Sequence, residues 1–233
     1  INMKAAWYER TGEAQKVLQI GELDNPLPNK GEVLVQLKTS GINPSDVKTR
    51  AGARGDLQFP KIVPHSDGAG TIVDVGEGVD KKRIGERVWI WNGAFGRAFG
   101  TCAELISLPE FQAAKINDSV DFKSAACMGI PASTAYYGIF ANGSVKDKTV
   151  LISGGAGAVG FYGIQLAKLS GASVISTISS DEKAEVAQEA GADKVINYKN
   201  EDVVEEIMNF SNNKGVDRIF EVEFGGNLSI NEK

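Results

Sequence analysis

Histidine is almost missing from this chain, with His65 alone among 233 residues, and cysteine is scarce, present only as Cys102 and Cys127. Two thiols build no disulfide framework, though one bridge between them stays open, and they fit a reducing compartment, with the cytoplasm as default. They also fall short of a structural zinc site, which takes four thiolates. Basic charge is in deficit: 25 Lys and Arg stand against 30 Asp and Glu, a net charge of -5. That leaves no broad positive field for nucleic acid or an anionic membrane. The longest uncharged run, between Lys123 and Lys146, is interrupted by Pro131, several glycines and hydroxyl residues, which argues against a membrane span. No signal peptide is expected, because "INMKAAWYER" lacks an apolar core; Met3 reads as the native start, with Ile1 and Asn2 as a remnant before it. What is present is an ordinary globular composition, 42% hydrophobic and 24% charged, long enough for one large or two modest domains.

The texture changes once, near residue 120. Before it, β-rich runs ("MKAAWYE", "EVLVQLKTSGI", "GAGTIVDVGEGV", "ERVWIW", "TCAELISL") alternate with Gly and Pro punctuation, which predicts an antiparallel β unit with few helices. After it, strands at 148–153, 173–178, 194–198 and 217–222 alternate with helices at 158–170, 181–190 and 201–212. That alternation predicts a parallel sheet with crossover helices. The expected domains are therefore 1–122, β-rich, and 123–233, α/β.

The second domain opens on "VLISGGAGAVGFYGIQLAKLSG", residues 150–171, where Gly155, Gly157 and Gly160 form G-x-G-x-x-G between a strand and a helix. This is the context dinucleotide binding requires: a tight turn, a backbone close to a pyrophosphate, and a helix N-terminus whose free N–H groups face the anion. An NAD-selective site usually adds an acid at the end of the second strand, about 20 residues on. Here "SVISTISSDEK" ends that strand in Ser179 and Ser180, with Lys183 one turn further. Hydroxyls and a cation suit a 2′-phosphate, so the reading favours NADPH over NADH. Asp181 runs against it, but an acid after two serines also suits the start of a helix.

Taken together, "GINPSDVKTRAG", "PHSDGAGTIVDVGEGV", "GTCAELISLP", "GIPASTAYYGIF", "SGGAGAVG" and "GADKVINYKNED" resemble the medium-chain dehydrogenase/reductase superfamily, in its zinc-free quinone oxidoreductase (zeta-crystallin-like) branch. The resemblance runs from Met3 to about Leu228. It implies an α/β fold in which a GroES-like β-rich domain precedes a Rossmann doubly wound parallel sheet, with the cofactor between them. It also implies that the Rossmann half lacks its last strands, so that the strand at 217–222 is an open edge and the homo-oligomer of full-length relatives does not form in the usual way.

The resemblance assigns roles as well. Ala156, Gly157, Ala158, Val159 and Gly160 would carry the pyrophosphate, while Ser179, Lys183 and Tyr198 would surround the 2′-phosphate. Asn43, Asp46 and Thr134 match positions on the nicotinamide side, and Lys48 stands where relatives commonly carry a tyrosine. Asn43 occupies the place of the zinc branch's first cysteine, and Ser66, not His65, falls at its zinc histidine, so no metal site is expected. Without a Lewis acid, hydride transfer from NADPH to an electrophilic quinone or conjugated enone becomes the expected reaction, in an apolar cleft near Asn43, Trp91 and Phe95. Trp91 and Phe95 also read, and rather better, as core aromatics of the β domain. The alternatives are an enoyl or alkenal reductase on the same scaffold, and a noncatalytic, crystallin-like NADPH-binding protein.

Overall fold

A computed structural model describes residues 2–233; Ile1, part of the remnant read before Met3, lies outside the described residues. The chain divides into two compact units that part between Ile130 and Pro131. The boundary drawn from texture, after residue 122, comes earlier because the next helix packs Ala125 and Ala126 against Ala69 and Ile116 of the first unit.

The first unit runs through β1 (Asn2–Trp7), α1 (Ala14–Val17), β2 (Gln19–Asp24), β3 (Glu32–Gly41), α2 (Pro44–Ala51), β4 (Asp67–Val75), β5 (Arg87–Ile90), β6 (Leu105–Pro109), β7 (Ala113–Lys115) and α3 (Phe122–Ala126). Five of its strands form an antiparallel sheet in the order β6-β3-β4-β5-β7, and β1 pairs with β2 separately. Alternation along β3 sends Val33 and Val35 into a core with Ile72, Val88, Ile90, Ile106 and Leu108, all essentially without solvent exposure. Two register shifts in the β3–β4 ladder bring Gly41 opposite Asp67. The loop after β3 therefore starts beside the first residue of β4.

The second unit runs through α4 (Ser133–Phe140), β8 (Thr149–Ile152), α5 (Ala158–Leu169), β9 (Ser173–Ile178), α6 (Asp181–Glu189), β10 (Lys194–Asn197), α7 (Val203–Phe210), β11 (Arg218–Phe220) and α8 (Phe224–Asn231). Its four strands are parallel in the order β10-β9-β8-β11, the 3-2-1-4 half of a doubly wound sheet. Period-2 alternation splits β8 between two cores: Val150 and Ile152 pack with Ile139, Ile164 and Ala187, whereas Leu151 packs with Ile175, Ile196, Val203 and Ile207. Both faces are covered, as parallel strands require.

Of the expected elements, α7 and β11 fall furthest short of the spans read. α7 begins at Val203 because the Asp202 carboxylate accepts from the N–H groups of Val204 and Glu205, and it stops before Asn212 and Asn213, both at positive φ. β11 stops at Phe220 because the Glu221 carboxylate turns to accept from the N–H of Glu223. α8 was not anticipated, since Gly225 and Gly226 weaken its helical signal. Asn227 and Asn231 bind it back to the same Glu221 carboxylate.

Candidate functional site

In the second unit the site is made mostly of backbone. Gly154 turns the chain with φ +66 after β8, its N–H donating to Thr177 Oγ1 at 3.2 Å, while the N–H of Gly155 donates to the Thr177 carbonyl. The conformational demand thus falls on Gly154, one residue before the motif glycines. Gly155 is small for another reason: a Cβ there would strike Ser176 Oγ, which is buried and donates to the Ile152 carbonyl. At Gly160 a Cβ would run into the Gly154 carbonyl, which is how the third glycine lets α5 approach the turn. Gly157 is the N-cap in extended conformation, so the N–H groups of Ala158, Val159 and Gly160 form the first helical turn, where no intrahelical acceptor exists. This cradle fits a pyrophosphate, with Ala156 leading into it.

At the end of β9, Lys183 Nζ donates to Ser179 Oγ at 2.8 Å, and both side chains reach solvent. Ser180 caps α6 by accepting from the Lys183 N–H, so Asp181 is the first helical residue rather than a lone acid at the strand end. Tyr198 follows β10 and lies half exposed on a cavity of about 250 Å³ shared with Ser153, Gly154, Thr177 and Asn227. The structure thus brings Tyr198 to the glycine turn and pairs Ser179 with Lys183. Ser179 and Lys183 are not part of that cavity's lining. Glu221 and Thr177, which hold the turn from the side, escaped the sequence reading. Burial alone would raise the Glu221 carboxyl, but donors from Glu223, Ser153, Asn231 and Asn227 outweigh it and hold the group below the usual range. Thr134 sits exposed in the first turn of α4.

In the first unit, Asn43 and Asp46 are committed to the fold. Asn43 caps α2, and its N–H donates to Asp46 Oδ2 at 2.7 Å. Its side-chain Nδ2 donates to Asp67 Oδ2 at 2.7 Å, and the other Asp67 oxygen accepts from the Ile130 N–H at 2.8 Å. Burial pushes the Asp67 carboxyl up and these donors pull it back; Asp46 is likewise raised by burial. Asp67 was missed in sequence because its partners are far along the chain. Asp46 lines a cavity of about 640 Å³ inside this unit, together with Tyr8, Arg54, Phe59, His65 and Phe95, whereas Asn43, Lys48 and Trp91 do not line it. Lys48 is exposed on α2. Trp91 is held by its indole N–H to the Phe111 carbonyl and by ring contact with Phe111. Phe95 is strongly exposed, so the aromatic pair read near the cleft is split between a packing role and a cavity wall.

These features define a protein in which a GroES-like antiparallel unit precedes a Rossmann-type parallel sheet with a glycine turn at its first helix. Residues 29–149 match the family model for the alcohol dehydrogenase GroES-like domain, and residues 158–225 match that for a zinc-binding dehydrogenase. Quinone oxidoreductase of Rattus norvegicus is 31% identical over 205 residues, covering 88% of this chain and 61% of the rat protein. A quinone oxidoreductase structure from Pseudomonas syringae superposes with TM-score 0.82 at 30% identity, over 93% of this chain and 65% of that one. Escherichia coli quinone oxidoreductase, solved in complex with NADPH, gives TM-score 0.77 at 29% identity, over 91% and 64%. The chain belongs to the medium-chain dehydrogenase/reductase superfamily, in its quinone oxidoreductase family. It spans about 61% of the length of the rat relative. The second family model's name implies zinc, but among the described residues no three His, Cys, Asp or Glu side chains lie together as ligands. No helix among the described residues is long and apolar enough to cross a membrane.

Proposed function

We propose that this chain binds NADPH and that the protein it represents passes the hydride to a quinone or conjugated enone without metal. The observation that carries the reading is the Lys183 ammonium on Ser179 Oγ at the end of β9, where an NAD-selective sheet presents an acid. A 2′-phosphate replaces that hydroxyl contact with charge-assisted bonds from Lys183, Ser179 and Ser180. Ala156 to Gly160 receive the pyrophosphate on the α5 N-terminus, with Gly157, Ala158 and Val159 closest, and Tyr198 offers a phenolic donor at the mouth of the turn. The cofactor, when bound, supplies the hydride; the protein's part is to bind, orient and exclude water.

In this reading the first unit, up to Ile130, serves as the substrate domain and the second, from Pro131, as the nucleotide domain. Asn43, Asp46, Lys48 and Thr134 belong to the reacting end: Asn43 and Asp46 by shaping the loop at the start of α2, Thr134 by its hydroxyl on α4, and Lys48 by adding positive charge. The NADPH complex of the Escherichia coli relative supports the cofactor, and the relatives' names support a small-molecule quinone. Free Cys102 and Cys127 accord with a reducing cytoplasm.

Calorimetric titration with NADPH and NADH tests the cofactor, and tighter NADPH binding is expected. Equal affinities would overturn the 2′-phosphate assignment. NADPH oxidation in the presence of a naphthoquinone, beside an enal, then separates a quinone reductase from an alkenal reductase.

A further inference from the structure

The sole histidine of the chain is held in an uncommon backbone conformation on the wall of a cavity of about 640 Å³ in the first unit. His65 has φ +79, a region that non-glycine residues seldom enter, although histidine does so more often than most. Straps on both sides hold it there. Val63 donates to the Ala98 carbonyl, and the N–H groups of Gly100, Thr101 and Cys102 donate to the carbonyls of Val63, His65 and Pro64. A Cβ at Gly100 would collide with those same carbonyls, so the strap has closed as far as glycine permits.

The protonation pattern of the ring follows from counting protons along a chain of hydroxyls. Thr101 Oγ1 lies 2.6 Å from the Asp67 backbone carbonyl, and a carbonyl only accepts, so the threonine hydroxyl donates there. With its one proton spent, Thr101 accepts from Ser40 Oγ at 2.9 Å. Ser40 in turn has no proton left for the imidazole, so across their 3.0 Å contact His65 Nδ1 is the donor. The neutral ring therefore carries its hydrogen on Nδ1 and a lone pair on Nε2. Among the described residues Nε2 has no hydrogen-bond partner, and burial holds the imidazole below the ordinary histidine range, so this neutral form prevails at neutral pH.

The cavity is about 640 Å³, a size proper to small-molecule sites, and Tyr8, Phe59, Ile62 and Phe95 give it aromatic and aliphatic walls. Charged groups facing it are Asp46, Arg54, Asp56 and Arg97. Arg97 is already occupied, donating to the Gly93 carbonyl and to Gln112 Oε1. We propose that this cavity takes an aromatic hydroxyl compound, a phenol or hydroquinone, whose O–H donates to His65 Nε2, and that His65 is the residue selecting it. The proposal deepens the quinone reading, since a hydroquinone is that reaction's reduced product, but it stands on the first unit alone. Protonation of Nε2 removes the acceptor, so selection weakens in acid.

The test is binding without nucleotide, which keeps its failure separate from failure of the hydride-transfer reading. Fluorescence titration compares 2-naphthol with its methyl ether, which has the same rings and no donor. The wild-type chain is expected to prefer the naphthol by about tenfold at neutral pH, the yield of one good hydrogen bond, and to lose that preference as pH falls through the lowered His65 value. His65→Asn, which tolerates positive φ, and His65→Gly, which removes the conformational demand altogether, should each bind both compounds alike. Any pH dependence they retain belongs to groups other than His65. Equal binding of naphthol and ether by the wild-type chain would overturn the proposal, as would a preference surviving in both variants, or loss of both compounds in both folded variants.

Discussion

The two units spend their polar residues in opposite ways. In the second, the groups we propose for the nucleotide are backbone N–H groups at the start of α5 and the solvent-reaching Ser179–Lys183 pair, while Thr177, Ser176 and Glu221 hold the turn. In the first, Asn43 is used inward to join the end of β3, α2 and β4, while Asp46 accepts from the Asn43 N–H at the start of α2 and also lines the cavity. The lesson is that a phosphate site can be built locally, because helix geometry supplies its donors, whereas a substrate wall is assembled from segments distant in sequence.

Four changes would sharpen or break that contrast. Asp67→Ala should have the largest effect, because it strands the buried Asn43 Nδ2 and the Ile130 N–H together; a loss of about 3 kcal/mol is expected by denaturant unfolding. A loss no larger than for a surface substitution would mean that Asn43 is not committed to the fold. Gly160→Ala comes next, since its methyl must displace the Gly154 carbonyl; about 2 kcal/mol of stability should go, and nucleotide affinity with it. Retained NADPH affinity in that variant would show the turn to be looser than described.

Lys183→Ala should leave stability almost unchanged and cost about 1.5 kcal/mol of NADPH affinity, while NADH binding stays where it was. Calorimetry showing equal losses for the two nucleotides would end the 2′-phosphate assignment. The smallest effect concerns pH. Because the His65 pKa is lowered by burial, the unfolded chain binds the proton more readily, so stability from this residue is complete above 6.5 and declines as pH falls through the folded value. Asp46 and Asp67 are raised by burial and act in the opposite sense, their contribution being present in acid and lost as pH rises through their folded values. The difference between wild type and His65→Asn isolates the histidine, and a flat difference from pH 7 to about 5 would mean that burial does not perturb it.

Much of the second unit was legible because its signals are short-range. Strand–glycine–helix spacing and the alternation of strands with helices act over short stretches, and they led to the parallel sheet with crossover helices and to the glycine turn ahead of α5. Even there, the positive-φ residue proved to be Gly154, since the motif identifies a crowded region and only the path from β8 decides which glycine turns. Likewise α8 depends on Glu221 gathering Asn227 and Asn231, a network that outweighs its poor helix formers.

The amino-acid sequence by itself determined the order of the two units, the glycine cradle and the basic end of the second strand, because each rests on local backbone preference and hydrophobic period. Only the tertiary structure decided that Asn43 binds Asp67, that His65 meets Ser40 through Nδ1 on the wall of a cavity, and that Lys48 and Trp91 stand outside it. Those outcomes depend on the register shifts between β3 and β4 and on the strap from Val63 to Cys102. Both are long-range pairings, whose energy comes from satisfying buried donors and acceptors across dozens of residues, and no spacing along the chain reports them.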